Sequence, residues 1–394
     1  MGLQRRNLYR WRFDWHNIPY NMKVVKVRSP FIIQVNEAGQ IGSKIELSIW
    51  NGSSYPTSGV GFYSLSKSIA SASQINTSYN VSNYVKEFIN NIKATYVWSY
   101  TDPEPSNEWT IFQVTRYKLD GTTYTLLDTT EYVGVNGFTN YIDGNQVAID
   151  TKILLLANIN INNYYYKQDT YPNIYTQYFN LLIDKPTAFT TVITVKYERI
   201  DGTIFSYTNS ISVGLTGLFN IANPITLVKQ FNEFVNGCKI TITYTPVSGS
   251  PTILTSFFTY PIEECKYTPV LCDFVNRYGG WQTLTFFKQQ TNTVSVKGTD
   301  YKLTQSAISY NGSIGQFKTF NTNGKQTVKL NTGFVDENYS ELITDLLLSE
   351  TVLLDSKPVT VKTQGSDLKS HLKDKNINYE VEFEYAFNLI NDVV

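Results

Sequence analysis

Residues 114–138, VTRYKLDGTTYTLLDTTEYVGVNGF, and residues 195–219, VKYERIDGTIFSYTNSISVGLTGLF, decide the fold class. Both alternate apolar and polar side chains around an Asp-Gly pair, Asp120-Gly121 in the first and Asp201-Gly202 in the second. Alternation of period two is the pattern of a strand with one buried face. Asp-Gly between two such runs is the local signature of a tight hairpin whose central residues take positive φ. Each copy ends on Val-Gly-x-x-Gly, at 133–137 and 213–217, whose glycines are expected to serve turns. One hairpin design used twice predicts two related β-sandwich modules in tandem; two copies are too few for a solenoid.

Upstream of the first copy, KVVKVRS (23–29), FIIQVNE (31–37) and KIELSIW (44–50) read as further short strands bounded by Gly, Asn, Ser or Pro. Only NVSNYVKEFINNI (80–92) reads as helix there: Val81, Tyr84, Val85, Phe88 and Ile89 fall on one face, with Ser78 or Asn80 to cap it. The last third changes character. Strands at TLTFF (283–287) and VSVKG (294–298) precede VDENYSELITDLLLSE (335–350), an amphipathic helix capped by Asp336 or Asn338. TVLLDSKPVTV (351–361) then reads as a hairpin. In the final run Val381, Phe383 and Tyr385 alternate with Glu380, Glu382 and Glu384, giving one buried and one wet face. The fold class expected is mainly β: an N-terminal arm (1–20), a β-sandwich with one short helix (21–147), a second β-sandwich (148–266) and a small α+β domain (267–394).

Composition narrows the function. Lys+Arg and Asp+Glu both number 33, so the chain lacks the basic excess expected of a nucleic-acid backbone binder or a polybasic membrane-surface protein. Two His (His16, His371) and three Cys (Cys238, Cys265, Cys272) leave no set of residues at metal-ligand spacing, so no metal and no cofactor is expected. The thiols are expected to be reduced and packed. No nucleophile elbow, Walker lysine, zinc-protease or dinucleotide motif occurs. A glycosidase carboxylate pair is defined by separation in space, so spacing alone does not identify one, and no enzymatic activity is expected. The chain has no apolar run long enough to span a bilayer, and no apolar run follows Arg5 and Arg6 to form a secretory leader.

Two segments are candidate contact surfaces. The arm mixes Arg5, Arg6, Arg10 and Arg12 with Trp11 and Trp15, residue types enriched in interface hot spots. Single-stranded nucleic acid would also suit such a mixture, but the neutral remainder of the chain favours a protein partner. NNYYYKQDTYPNIYTQYF (162–179) carries contiguous Tyr164, Tyr165 and Tyr166, which cannot all face inward on one strand. That cluster suits a protein contact or, in an alternative reading, the platform of a β-sandwich adhesin or glycan-binding, receptor-binding protein.

The opening WRFDWHNIPYNMKVVKVRSPFIIQV (11–35), the box NRYGGW (276–281) with its TLTFF strand, KQTVKLNTGFVDENYSELITDLLLSETVLL (325–354) and YEVEFEYAF (379–387) together resemble tail and neck proteins of the virions of crAss-like tailed bacteriophages of Bacteroidetes. The resemblance implies immunoglobulin-like sandwiches followed by a C-terminal assembly domain. It implies a homo-oligomeric ring, six- or twelve-fold, or a tail hub, contacting other phage tail proteins in a virion assembled in the host cytoplasm. It transfers no catalytic residue and no sequence-specific nucleic-acid contact. Within the box, Tyr278 and Trp281 join the candidate interface residues.

Overall fold

A computed structural model describes residues 22–391, apart from 51–53, 70–75, 94–107, 152, 158–162, 167–174, 184–190, 202–205, 214–218, 228–235, 247–248, 263–265, 305, 307, 310 and 366–376. The chain is mainly β: the described residues form 23 strands in five sheets and two short α-helices. No described helix is long and apolar enough to cross a membrane.

The first region comprises β1 (Met22–Lys26), β2 (Ile32–Val35), β3 (Gly42–Ile49), β4 (Phe62–Ser68), β5 (Thr77–Asn80), α1 (Ser82–Lys86), β6 (Trp109–Asp120), β7 (Thr123–Val135) and β8 (Ile149–Thr151). Six of these strands form one sheet in the order β4-β3-β6-β7-β1-β8, with β1 parallel to β7, and β2 pairs with β5. Alternate residues of β3 (Ile45, Leu47 and Ile49) face the same core as Ile33, Val35, Tyr79, Val81 and Val85, so β2, β5 and α1 close over the large sheet. The stripe expected of α1 does line this core. The helix is nevertheless shorter than the stripe, because Asn91 takes positive φ (49°) and Phe88 and Ile89 follow in tight turns. β8 carries the first sheet to Thr151, past the break expected at 147.

The second region comprises β9 (Ile153–Leu155), β10 (Asn163–Tyr166), β11 (Tyr175–Ile183), β12 (Thr191–Arg199), β13 (Ser206–Val213), β14 (Phe219–Leu227), β15 (Cys238–Thr245) and β16 (Thr252–Ile262). Sheets β14-β11-β9 and β10-β16-β15-β12-β13 face each other, since Ile153, Leu155 and Leu181 pack with Ile193, Val195, Ile240 and Ile242. The two repeated hairpins are wired differently. β6 pairs with the upstream strand β3, and β7 is interior; β12 pairs with the downstream strand β15, and β13 is an edge. In the first hairpin Asp120 pairs with Thr123, so Gly121 and Thr122 are the central residues and only Gly121 takes positive φ (62°). The turn therefore sits one residue later than the Asp-Gly pair suggests. Gly202 lies outside the described residues.

The third region comprises β17 (Val270–Val275), β18 (Trp281–Phe286), β19 (Thr291–Lys302), β20 (Phe317–Val335), α2 (Tyr339–Leu347), β21 (Val352–Leu354), β22 (Lys357–Val361) and β23 (Ile377–Tyr385). Its seven strands run β18-β17-β21-β22-β23-β20-β19. The sheet curls back on itself, with Lys288 N–H donating to Asn331 O (3.2 Å). Tyr339, Leu342, Ile343 and Leu346 of α2 fill the concave side against Phe274, Phe286, Val381 and Phe383. Both helix stripe and final strand follow the periodicities read from sequence: Val381 and Phe383 are buried, whereas Glu380 and Glu382 are exposed. Asn338 occupies the N-cap position of α2 without a side-chain capping bond.

Candidate functional site

The NRYGGW box is the turn between β17 and β18, and it is where the three regions meet. Asn276 is fully buried and organises the turn. Its side-chain oxygen accepts from the Tyr278 and Gly280 N–H groups (2.9 and 3.3 Å), and its amide donates to Gln282 Oε1 (3.0 Å) and to Leu156 O (3.2 Å). The last bond fastens the turn to the segment following β9. Gly279 takes positive φ (88°), the conformation that closes the turn.

Backbone meets backbone here without intervening side chains. A Cβ on Gly280 would lie 2.1 Å from Leu156 O, and one on Gly137 would lie 2.5 Å from Arg277 O. Phe138 N–H donates to Arg277 O (2.9 Å). Gly134 lies within β7, where a Cβ would come 2.7 Å from Val85 Cγ1 of α1. Gly134 thus serves close packing within β7, correcting its assignment to a turn, whereas Gly137 does both, its N–H closing a three-residue turn onto Val135 O (2.8 Å). Met22, Val24, Trp109, Val133, Val135, Leu156 and Leu182 form a separate apolar core at this junction, with Tyr278 against its margin. Leu181 points into the second-region core and Leu182 into the junction core, the consequence of period-two alternation along β11.

Charged groups rim the junction. Arg277 donates to Asp345 of α2 (2.7 Å), a carboxylate with no exposed surface. Burial raises the Asp345 pKa, and Arg277 only partly offsets that cost. Lys26 lies 4.6 Å from the Tyr278 ring centre, and burial, aided by the Arg277 charge, lowers its pKa. Arg28 donates to Leu348 O (2.6 Å), and with Lys86 it holds Glu350 (3.4 and 2.9 Å). Burial pushes the Glu350 pKa up, but the Lys86 hydrogen bond and the Arg28 charge bring it below the ordinary value. Lys93 binds Asp273 (2.6 Å), and the Asn180 amide donates to Glu108 (2.6 Å).

The candidate interface residues separate on this map. Trp281 is a core side chain, 1% exposed, and cannot present itself to a partner; the interface assignment is corrected accordingly. Tyr278 is half-buried inside the junction. Tyr164 is half-buried as well: its ring packs against Tyr260 and Tyr339, and its hydroxyl accepts from Asp336 N–H (3.2 Å). It joins β10 to α2 and is not free to serve as a platform. The backbones of Tyr165 and Tyr166 pair with Pro261 and Ile262, and their side chains lie outside the described residues. Arg5, Arg6, Trp11 and Trp15 also lie outside them, as do His16, His371 and Cys265. Cys238 and Cys272 are buried free thiols, with burial pushing the Cys238 pKa up to about 11.

A long stretch of the β19–β20 ribbon is exposed, where the sequence reading has only a short strand at 294–298. All 12 residues of β19 are exposed. β23 supports only Thr327–Val335 of β20. Phe317–Gln326 therefore depend on β19 and on the C-terminal turn, where Leu389 N–H donates to Gly324 O (2.8 Å). Tyr301 packs edge-on against Phe320 (5.5 Å) near the tip.

No protein-family model matches the sequence, and a search of curated proteins finds no match.

Proposed function

We propose that the chain is a structural component of a tailed-phage virion, forming an oligomeric ring or hub in the tail. The reading carries with it tandem immunoglobulin-like modules and an α+β C-terminal assembly domain. It also carries a virion location after synthesis in the host cytoplasm, and partners among other tail proteins. Its mechanism is mechanical: separate cores set spacing, the NRYGGW junction fixes the angles between them, and projecting elements hold neighbours.

One observation carries the proposal, the long ribbon that leaves the third sheet with apolar side chains in water. Val294, Val296, Phe317 and Phe320 are each about half exposed or more. A fold that spends chain on an unsupported apolar ribbon gains nothing from it as a monomer. The box, the Leu-rich helix and the Glu-alternating last strand, which carry most of the resemblance, belong to the same region as that ribbon.

Sedimentation velocity and negative-stain imaging of the purified chain test the proposal. Closed rings or a defined oligomer are expected. A stable monomer at micromolar concentration that also ignores the other tail proteins would refute it.

A further inference from the structure

We propose that the groove over the β20 bulge is a binding site for a neutral saccharide. Where β20 slips register against β23, Thr332 and Gly333 stand opposite the single residue Tyr379. The slip decides which way the next side chains point. Val328 and Leu330 face the third-region core, and unbroken alternation would send residue 334 there too. The extra residue reverses the phase: Val335 enters the core at 1% exposed, and Phe334 is left on the outer face at 67%. Phe334 pairs with Asn378, and Asn331 with Glu380, so these four side chains share that face. Ring assembly neither needs nor precludes a ligand there.

A groove of about 360 Å³ runs beside the ring, where the β19–β20 ribbon leaves the sheet. Small-ligand sites span roughly 300–1,000 Å³. The floor is organised in advance. Gly333 N–H donates to Asn331 Oδ1 (2.7 Å), and the Asn331 amide (3.3 Å) and Lys329 both hold Glu380. Gly333 takes positive φ (72°), and a Cβ there would lie 3.3 Å from Cγ and Cε of Lys288, whose stem closes one side. Gln289 and Asn378 are exposed and make no side-chain hydrogen bond among the described residues, so each amide can both donate and accept. This lining matches one ligand chemistry. Sugar hydroxyls donate and accept in the same way, and the apolar C–H face of a pyranose lies flat on an aromatic ring. With Lys329 engaged by Glu380, the groove has no cluster of cations to hold a phosphate or carboxylate. Tyr164 is committed within its own chain, whereas Phe334 is open to a ligand.

The test screens the full chain on an array of neutral and anionic oligosaccharides, then follows the free sugar by saturation-transfer NMR. At least one neutral oligosaccharide is expected to bind at millimolar concentration or below, with its ring protons receiving the transferred saturation. Phe334→Ala and Asn378→Ala should each weaken that binding about tenfold or more, while Phe334→Tyr, which keeps a flat ring, should retain it. Both truncated side chains are exposed, so the melting temperature should stay near that of wild type. No binding across the array, or binding that both truncations leave unchanged, overturns the proposal. Preference for sialylated or phosphorylated sugars overturns the assignment to a neutral ligand. Weaker self-association of Phe334→Ala without any bound sugar would overturn it in favour of a protein contact.

Discussion

The β17–β18 and β19–β20 hairpins belong to one sheet and follow one another in the chain, yet they are built for opposite ends. Every residue of β18 is buried, since one face looks into the third-region core and β10 and β11 lie against the other. Every residue of β19 is exposed. In the first hairpin Asn276 ties the turn together and the glycines press against foreign backbone; the second pairs mainly with itself. Energetically the first is a joint and the second an arm. Substitutions in the joint should appear as lost stability, and those in the arm as lost association.

The largest effect is expected from Gly280→Ala. Its new Cβ would lie 2.1 Å from the Leu156 carbonyl, and backbone on both sides must move. A loss of about 3 kcal/mol is expected, the upper range for overpacking. A change below about 0.5 kcal/mol in denaturant unfolding would mean that the junction yields and is no joint. Asn276→Ala comes next. It strands two N–H donors, the Leu156 carbonyl and Gln282 in a buried site, for about 2 kcal/mol. Asn276→Asp keeps the acceptor but loses both donated bonds, so it should fall between wild type and Ala unless the buried charge itself costs more.

A smaller effect sharpens the same contrast through pH. Lys86 and Arg28 hold the Glu350 pKa below its ordinary value, so the native state binds this proton more weakly than the unfolded chain. The stabilisation is present above the ordinary Glu pKa of about 4.3 and is lost as pH falls through the lower folded value. The melting temperature of wild type should therefore exceed that of Glu350→Gln near neutral pH, and the difference should close in acid. A constant difference would assign the effect to packing instead of charge.

Periodicity made the strands legible, along with the stripes of α1 and α2 and the Glu-alternating last strand, because each is a local rule. The turn expected at the Val-Gly-x-x-Gly glycines is absent at Gly134 and present at Gly137, where close approach to foreign backbone adds to it. A glycine needed for close approach looks like a glycine needed for a turn, and only the tertiary neighbour (Val85 or the Arg277 carbonyl) distinguishes them. Asp345 was invisible for a related reason: it interrupts the apolar side of α2, and its partner Arg277 lies 68 residues away. Trp281 is an interface candidate only as a member of the NRYGGW box, which reads the same whether its Trp faces a partner or a core. The joint it serves is an interface, but one between parts of a single chain.

The smallest effect on stability is the most informative about the arm. Val294 and Val296 alternate with polar residues as a half-buried strand would, but alternation records only that a residue lies in a strand and not whether anything covers it. Phe320→Ser removes a ring that is 48% exposed, packed edge-on against Tyr301 and outside the buried cores. Its cost to unfolding should stay within about 0.5 kcal/mol, as for surface positions generally. If the ring is a contact in the assembly, the same change removes a buried aromatic from an interface centre and should weaken association about tenfold or more. Measuring both on one sample separates the possibilities: equal melting with weaker assembly marks an arm, whereas a loss of 2 kcal/mol or so in unfolding would place Phe320 in a core of its own chain.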